Sequence, residues 1–377
     1  MTEHTNTPEL RFPEFSENWE SKEFKDIIKV NSGKDYKHLD IGKYPVYGTG
    51  GYMLSVSDYL YKNDAIGIGR KGTINKPYLL AGPFWTVDTL FYCTPLANNN
   101  LSFLLNLFRK INWKKYDEST GVPSLSKMTI SKIKCKVPII SEQEKIGNFF
   151  SKLDRQIELE EKKLELLEQQ KKGYMQRLFS QKLRFKGENG KVYPNWDLKK
   201  LGDILERGNK EKVNNIDKYR RVTVSLHGKG LHEVIQERKT KDTRPFYQRF
   251  EGELIIGKQN FFNGSIAIVP SELNGFICSN AIMSYKINNY IDKKYLLEYL
   301  LQNDFLRKNE YLADGTGQKE LSEKKFEELE IKIPNSIEEQ EKIGSFFNKI
   351  DNLIELQTNK IESLKQRKKG LLQKMFV

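Results

Sequence analysis

The chain has 377 residues, enough for two or three domains that each bury a core, and its 63 Lys and Arg against 50 Asp and Glu give a formal net charge of +13. That balance favours an anionic partner, nucleic acid or an acidic membrane surface. A membrane role is disfavoured, because the most apolar local stretch, residues 101–108, is far too short to cross a bilayer. Three scattered cysteines (Cys93, Cys135 and Cys278) fit a reducing cytoplasm and argue against a zinc or disulfide framework. The N-terminus lacks the apolar core of a signal peptide, so the expected location is cytoplasmic, with no membrane partner.

In chain order, Arg11-Phe-Pro-Glu-Phe leads into Trp19, with Asp26 and Ile27 seven and eight residues on. Residues 44–52, 65–68, 74–80 and 86–93 are short β-branched and aromatic runs cut by Gly, Pro and Asn, and are predicted strands. An amphipathic helix is predicted over 101–110, followed by a small apolar piece that ends at Pro138. Ser141-Glu-Gln-Glu144 is a helix-start signal, and a long helix is predicted from Glu142 to Phe179. The second half runs through Arg184 and Trp196 to predicted strands at 221–226, 253–256, 265–269 and 281–287 and a helix at 294–307. After Pro334, a second start signal, Ser336-Ile-Glu-Glu339, opens a long helix to Phe376.

The two long helices are copies. Residues 142–179 and 339–376 align without a gap at an offset of 197, with 22 identities in 38 positions. The entry tryptophans, Trp19 and Trp196, align at 177, the short helices at 192, and Leu125-Ser126 with Leu321-Ser322 at 196. The stepwise rise means insertions between fixed landmarks, as loops tolerate. The plan is a globular domain over 1–140, a central spacer helix over 141–182, a second globular domain over 183–336 and a C-terminal spacer helix over 337–377. The fold class expected is mixed α/β, with two mainly-β domains and long helices that pair as an antiparallel coiled coil. Phe150, Leu153, Ile157, Leu164 and Leu167 in the first helix, and Phe347, Ile350, Ile354, Ile361 and Leu364 in the second, make the heptad seam expected to carry helix pairing and partner docking. Polar residues interrupt both seams at equivalent places, Glu160 and Lys171 against Gln357 and Lys368, as register-setting positions would.

Catalytic signatures are missing. Gly67-Ile-Gly-Arg-Lys-Gly72 matches a dinucleotide fingerprint, but Pro77 and Pro83 follow too soon for the helix that motif must open. The four histidines show no metal spacing. No Pro-Pro turn of the kind that grips an adenine amine exists, and acid–lysine groups of the nuclease type occur only inside charged helices. Basic and amide residues instead interleave with aromatics in the expected loops. The candidate DNA contacts are Lys34, Tyr36, Lys37, Arg70, Lys71, Asn75, Lys76 and Tyr78 in the first domain, and His227, Lys229, Lys241, Arg244, Lys258, Gln259, Asn260 and Asn263 in the second. Arg and Lys can read guanine, Asn and Gln adenine, and further lysines hold phosphates. A helix of about 35 residues is about 52 Å long, or about 15 base pairs of B-DNA, so a helical rod with a domain at each end would span a split site.

The duplicated Trp-x₆-Asp-Ile entry (Trp19, Asp26, Ile27; Trp196, Asp203, Ile204), the Leu-Ser…Pro approach (Leu125, Ser126, Pro138; Leu321, Ser322, Pro334) and the Glu-Gln-x-x-Ile helix start (Glu142, Gln143, Ile146; Glu339, Gln340, Ile343) together resemble the specificity subunit of type I restriction-modification systems, the HsdS family. The resemblance covers essentially the whole chain. It implies that each globular domain is a target recognition domain reading half of a bipartite site in double-stranded DNA. It implies that the helices are spacers and the docking surface for two adenine methyltransferase subunits, with two motor-nuclease subunits joining in the restriction complex. S-adenosylmethionine, ATP and Mg²⁺ would then belong to those partners, with no cofactor, metal or catalytic residue in this chain. The rival readings are a coiled-coil adaptor with no DNA role, and a DNA-modifying or cleaving enzyme with its own site.

Overall fold

A computed structural model describes residues 7–96, 98–234, 244–313 and 320–377. The chain divides into two compact units: unit 1 comprises residues 1–162 with 358–377, and unit 2 residues 163–357.

Unit 1 begins with β1 (Glu20–Glu23), α1 (Phe24–Ile27) and β2 (Ile28–Ser32). The hairpin β3 (Ile41–Gly48) and β4 (Gly51–Val56) is followed by β5 (Ala65–Gly69), β6 (Tyr78–Leu80), β7 (Trp85–Thr86) and β8 (Leu90–Pro95). Then come α2 (Leu101–Lys110), α3 (Lys127–Ser131), β9 (Lys134–Val137) and the long α4 (Ile140–Phe179), whose residues from 163 on belong to unit 2. Unit 2 repeats the plan with β10 (Asp197–Lys200), α5 (Leu201–Ile204) and β11 (Leu205–Arg207). Its strands continue with β12 (Val222–Val224), β13 (Leu231–Glu233), β14 (Phe246–Gln248), β15 (Leu254–Gly257), β16 (Ile266–Ile268), β17 (Ile277–Ser279) and β18 (Ile282–Ile287). They lead to α6 (Lys293–Leu300), α7 (Asn303–Asn309), α8 (Glu323–Glu327), β19 (Glu330–Ile333) and the long α9 (Ile337–Lys374).

The same sheet forms in both units, with order β2-β8-β5-β6 in one and β11-β18-β15-β16 in the other. Every pair in these sheets is antiparallel. A two-stranded ribbon joins entry to exit in each, β1 with β9 and β10 with β19. What is added to this frame differs. Unit 1 carries the sheet β4-β3-β7, whereas unit 2 carries the pairs β12-β13 and β14-β17.

Several element boundaries depart from the sequence reading. Residues 44–52 are not one strand but parts of the β3–β4 hairpin, turned at Gly51 with φ +108°, a conformation only glycine adopts without strain. Of 74–80 only Tyr78–Leu80 is strand, since Gly72 (φ +89°) and Pro77 keep the preceding residues in a loop. The 86–93 run splits around a turn at 87–89, where the Leu90 N–H donates to the Val87 carbonyl. In the second half, 221–226 shortens to β12. The helix expected over 294–307 is two, because Gln302 is extended (φ −63°, ψ 127°) and restarts the chain as α7. The first-domain helix falls at Leu101–Lys110 because Asn100 caps it, its side chain accepting the Phe103 N–H.

A buried latch closes each unit at the start of its long helix. In unit 1, Glu142 is fully buried; Arg11 grips it with Nε and Nη2, both at 2.7 Å, and the Trp19 indole N–H donates to it at 3.3 Å. In unit 2, Glu339 takes Arg184 at 3.0 and 2.8 Å and the Trp196 indole at 3.1 Å. The next residue ties loop to helix. Gln143 donates to the Pro138 carbonyl and accepts the Asn100 N–H; Gln340 donates to the Pro334 carbonyl and accepts the Asp292 N–H. Gly147 and Gly344 let those helix caps close in, since a Cβ there would lie 2.5 Å from the Asn100 Oδ1 and 2.2 Å from the Asp292 Oδ1.

Each unit also contains segments of both long helices, running antiparallel. Within unit 1, Lys360, Lys365 and Lys368 pair with Glu160, Glu161 and Asp154. Phe376 inserts among Trp19, Phe103 and Phe150, stacking on Phe103 at 5.2 Å. Within unit 2, Phe179 stacks on Phe347 at 5.8 Å and meets Tyr295, and Tyr174 meets Phe346. Phe376 and Phe179 are therefore equivalent plugs, each filling the core of the unit in which it ends.

Candidate nucleic-acid interface

The two ends of the unit 1 sheet differ in kind. At one end Ile28 pairs with Pro95, and the chain leads on to α2 and the latch. At the other, β2 ends with Ser32 opposite Phe91, β5 ends with Gly69 opposite Leu90, and β6 begins with Tyr78 opposite Gly67. Strand register thus gathers Lys34, Tyr36 and Lys37, which follow β2, with Arg70 and Lys71, which follow β5, and with Asn75 and Lys76, which precede β6. Backbone bonds fix these loops. The Lys34 N–H donates to the Thr86 carbonyl at 2.8 Å, its carbonyl accepts the Trp85 indole N–H at 2.9 Å, and the Arg70 carbonyl accepts the Leu125 N–H at 2.9 Å. The Arg70 guanidinium lies 5.9 Å from the Phe91 ring centroid. Lys34, Lys37, Arg70, Lys71 and Lys76 are exposed, and none of them pairs with a carboxylate among the described residues.

The two tyrosines are placed otherwise. Tyr78 donates its hydroxyl to the Gly48 carbonyl at 2.6 Å and packs with Leu80 and Phe84, where burial pushes its pKa up. Tyr36 packs against the small cluster of Val46, Val56 and Trp85.

Unit 2 has the same open end, built from other residues. The 3₁₀ turn Lys258–Asn263 directly follows β15. The Lys258 carbonyl accepts the Leu321 N–H at 3.0 Å, so Lys258 occupies the place that Arg70 holds in unit 1. The β12–β13 turn abuts it: the His227 N–H donates to the Asn263 carbonyl and the Gly228 N–H to the Gly264 carbonyl, both at 2.8 Å. His227, Lys229, Gln259, Asn260 and Asn263 are exposed around this junction. Lys258 is half-buried, its ammonium 4.0 Å from Glu320. Arg244 is exposed ahead of β14, over the Phe246 ring; Lys241 falls outside the described residues.

A cleft of about 550 Å³ opens at this end, and its walls include Arg207, Lys210, Arg249, Lys258, Asn280 and Glu323. Arg207 holds Glu327 at 2.6 and 2.8 Å, and Lys210 holds Glu323 at 2.6 Å. The Arg207 hydrogen bonds keep the Glu327 carboxyl below its usual range, and Glu327 raises Arg207 in return. Sequence reading missed Arg249, because Tyr247-Gln-Arg-Phe250 carries no motif and only the fold turns it into the cleft.

The seam residues face inward. Phe150, Leu153, Ile157, Phe347 and Ile361 are buried, while Leu164, Leu167, Ile350, Ile354 and Leu364 are half-buried. The polar breaks are used: Lys171 pairs with Asp351 at 2.7 Å and Glu298 at 3.0 Å, Lys368 pairs with Asp154, and Glu160 pairs with Lys360. The equivalent positions Leu159 and Leu356 are 51% and 66% exposed, an outward apolar pair the seam does not use. Among the described residues no cluster of His, Cys, Asp and Glu is arranged to hold a metal, and no helix is long and apolar enough to cross a membrane.

A single chain thus builds one unit twice, each with a polar open end and a latched long helix. The profile of the type I restriction modification DNA specificity domain matches residues 16–169 and again 193–366, and the chain belongs to that family. As a specificity subunit it is a noncatalytic component. It is 25% identical over 366 residues to the "Putative type I restriction enzyme MjaX specificity subunit" of Methanocaldococcus jannaschii, covering 92% of this chain and 82% of that one. It is 24% identical over 276 residues to the type I restriction enzyme MjaVIII specificity subunit of the same organism, covering 69% of this chain and 65% of the relative. Its fold matches the crystal structure of a type I restriction-modification S subunit from M. genitalium with a TM-score of 0.68 at 17% identity, over 98% of this chain and 99% of that one.

Proposed function

We propose that this chain reads a bipartite site in double-stranded DNA, each unit reading one short half through the loops at the open end of its sheet. It directs adenine methylation by two methyltransferase subunits that bring S-adenosylmethionine. Two motor-nuclease subunits using ATP and Mg²⁺ join where the site is restricted. The observation that carries this reading is the set of five exposed cations at one sheet end of unit 1, none with a carboxylate partner among the described residues, together with Lys258 in the matching place in unit 2. Exposed cations that no carboxylate neutralises are available for phosphate and base contacts. Leu159 and Leu356, equivalent and exposed, are among the apolar positions on the long helices where the methyltransferases would dock.

Co-expression with a cognate methyltransferase subunit in a methylation-free host tests the proposal by mapping modified adenines. The expected result is a two-part motif with a fixed gap that disappears when this chain is omitted. Replacing residues 18–138 with another such domain should then change one half of the motif and leave the other intact. A stable complex with a competent methyltransferase and no modification would overturn the DNA-reading role.

A further inference from the structure

The cleft of unit 2 holds a buried guanidinium, that of Arg249. Arg249 is only 3% exposed, yet no carboxylate among the described residues pairs with it. Its Nε donates to the Cys278 Sγ at 3.0 Å, and Nη1 to the carbonyls of Asn209 at 2.9 Å and Gln248 at 3.4 Å. The guanidinium carbon sits 5.4 Å from the Tyr247 ring centroid. These contacts orient the group, no carboxylate among the described residues lies within ion-pair distance of it, and Nη2 has no hydrogen-bond partner among the described residues. Arg207, Lys210 and Lys258, which share the cleft, each have a carboxylate beside them. A buried guanidinium held rigidly with one donor end open is built to meet an acceptor from outside.

The lining says which acceptor. Glu320 and Glu323 stand in the same wall as Asn280 and Lys258, so an entering phosphate would meet two carboxylates. A neutral base edge, with donors and acceptors of its own, fits the mixed lining. Guanine offers the N7 and O6 acceptors that an arginine reads in the major groove. We propose that Arg249 reads a guanine in the half-site bound by unit 2, donating from Nη2 to the N7 and O6 edge. This assignment rests on the DNA-reading role proposed above.

The test uses the full chain assembled with its methyltransferase, binding duplexes that carry the mapped site with each guanine replaced in turn by 7-deazaguanine, which lacks the N7 acceptor. At one guanine the wild-type complex should lose affinity on the order of ten-fold. The Arg249→Lys complex should bind the normal duplex more weakly by a similar factor and be indifferent to that replacement. The wild-type measurement needs no variant, and thermal unfolding checks that Arg249→Lys is folded. A site with no guanine, indifference of the wild type to every replacement, or unchanged sensitivity in Arg249→Lys overturns the assignment while leaving the DNA-reading role standing. Loss of all sequence preference in the wild-type complex overturns that role itself.

Discussion

Unit 1 and unit 2 share a frame and differ in what hangs from it. The four-stranded sheet, the Arg–Glu–Trp latch, the glutamine tie and the aromatic plug recur residue for residue. The open ends do not. From the equivalent strands β2 and β11 to β5 and β15 the offset between copies rises from 177 to 188, and the β3–β4 hairpin gives way there to β12, β13 and β14. Exposed lysines with no carboxylate partner among the described residues line one open end, whereas a cleft with internal ion pairs lies at the other. The lesson is a division of labour. Residues that close the core and seat the long helix are repeated because each unit has the same packing problem, while loops beyond the sheet end meet no such constraint and are free to carry different recognition chemistry.

Removing either plug should break the comparison most severely. Phe376→Ala and Phe179→Ala each empty a buried aromatic site, and each should cost about 3–5 kcal/mol, read as a drop in the denaturant midpoint. Equal losses are expected, since the plugs are equivalent; a mild effect at Phe376 would mean that unit 1 does not depend on the end of α9.

A smaller, asymmetric effect is expected at the polar seam. In unit 2, Lys171 meets Asp351 and the buried Glu298, with Lys294 on the same two acids. Burial pulls the Lys294 ammonium down, but Glu298 and Asp351 outweigh it and its pKa rises. Lys171→Met should therefore leave two carboxylates on one lysine and cost roughly 2 kcal/mol. In unit 1 the matching Lys368 pairs, among the described residues, with Asp154 alone, which Arg109 also holds, and burial lowers the Lys368 pKa. Lys368→Met should cost less than about 1 kcal/mol. Equal costs by chemical denaturation would remove the asymmetry.

The mildest test sharpens the contrast at the open ends. Arg70→Ala should weaken DNA binding by the assembled complex and reduce the salt dependence of log K by about one. Lys258→Ala should reduce it by less, because Glu320 already stands near that ammonium. A larger slope change at Lys258 would reverse the ranking of the two ends.

The sequence by itself determined the duplication, the long helices and the family, because a helix of 40 residues declares its period and its copies align without a gap. It located α2 through its amphipathic face, a signal carried by neighbouring turns of one short segment. It marked Trp19 and Glu142 as motif residues but not the bond between them, since they meet across 123 residues. Strand boundaries failed where a tight turn cut a continuous run, and a helix boundary failed where a single extended residue, Gln302, restarted the chain. Only the tertiary structure decided that Tyr36 and Tyr78 are packing residues, that Arg70 and Lys258 hold one position, and that Arg249 is buried with a free edge. Those properties come from strand register and from contacts between distant loops, which leave no periodic trace in the chain.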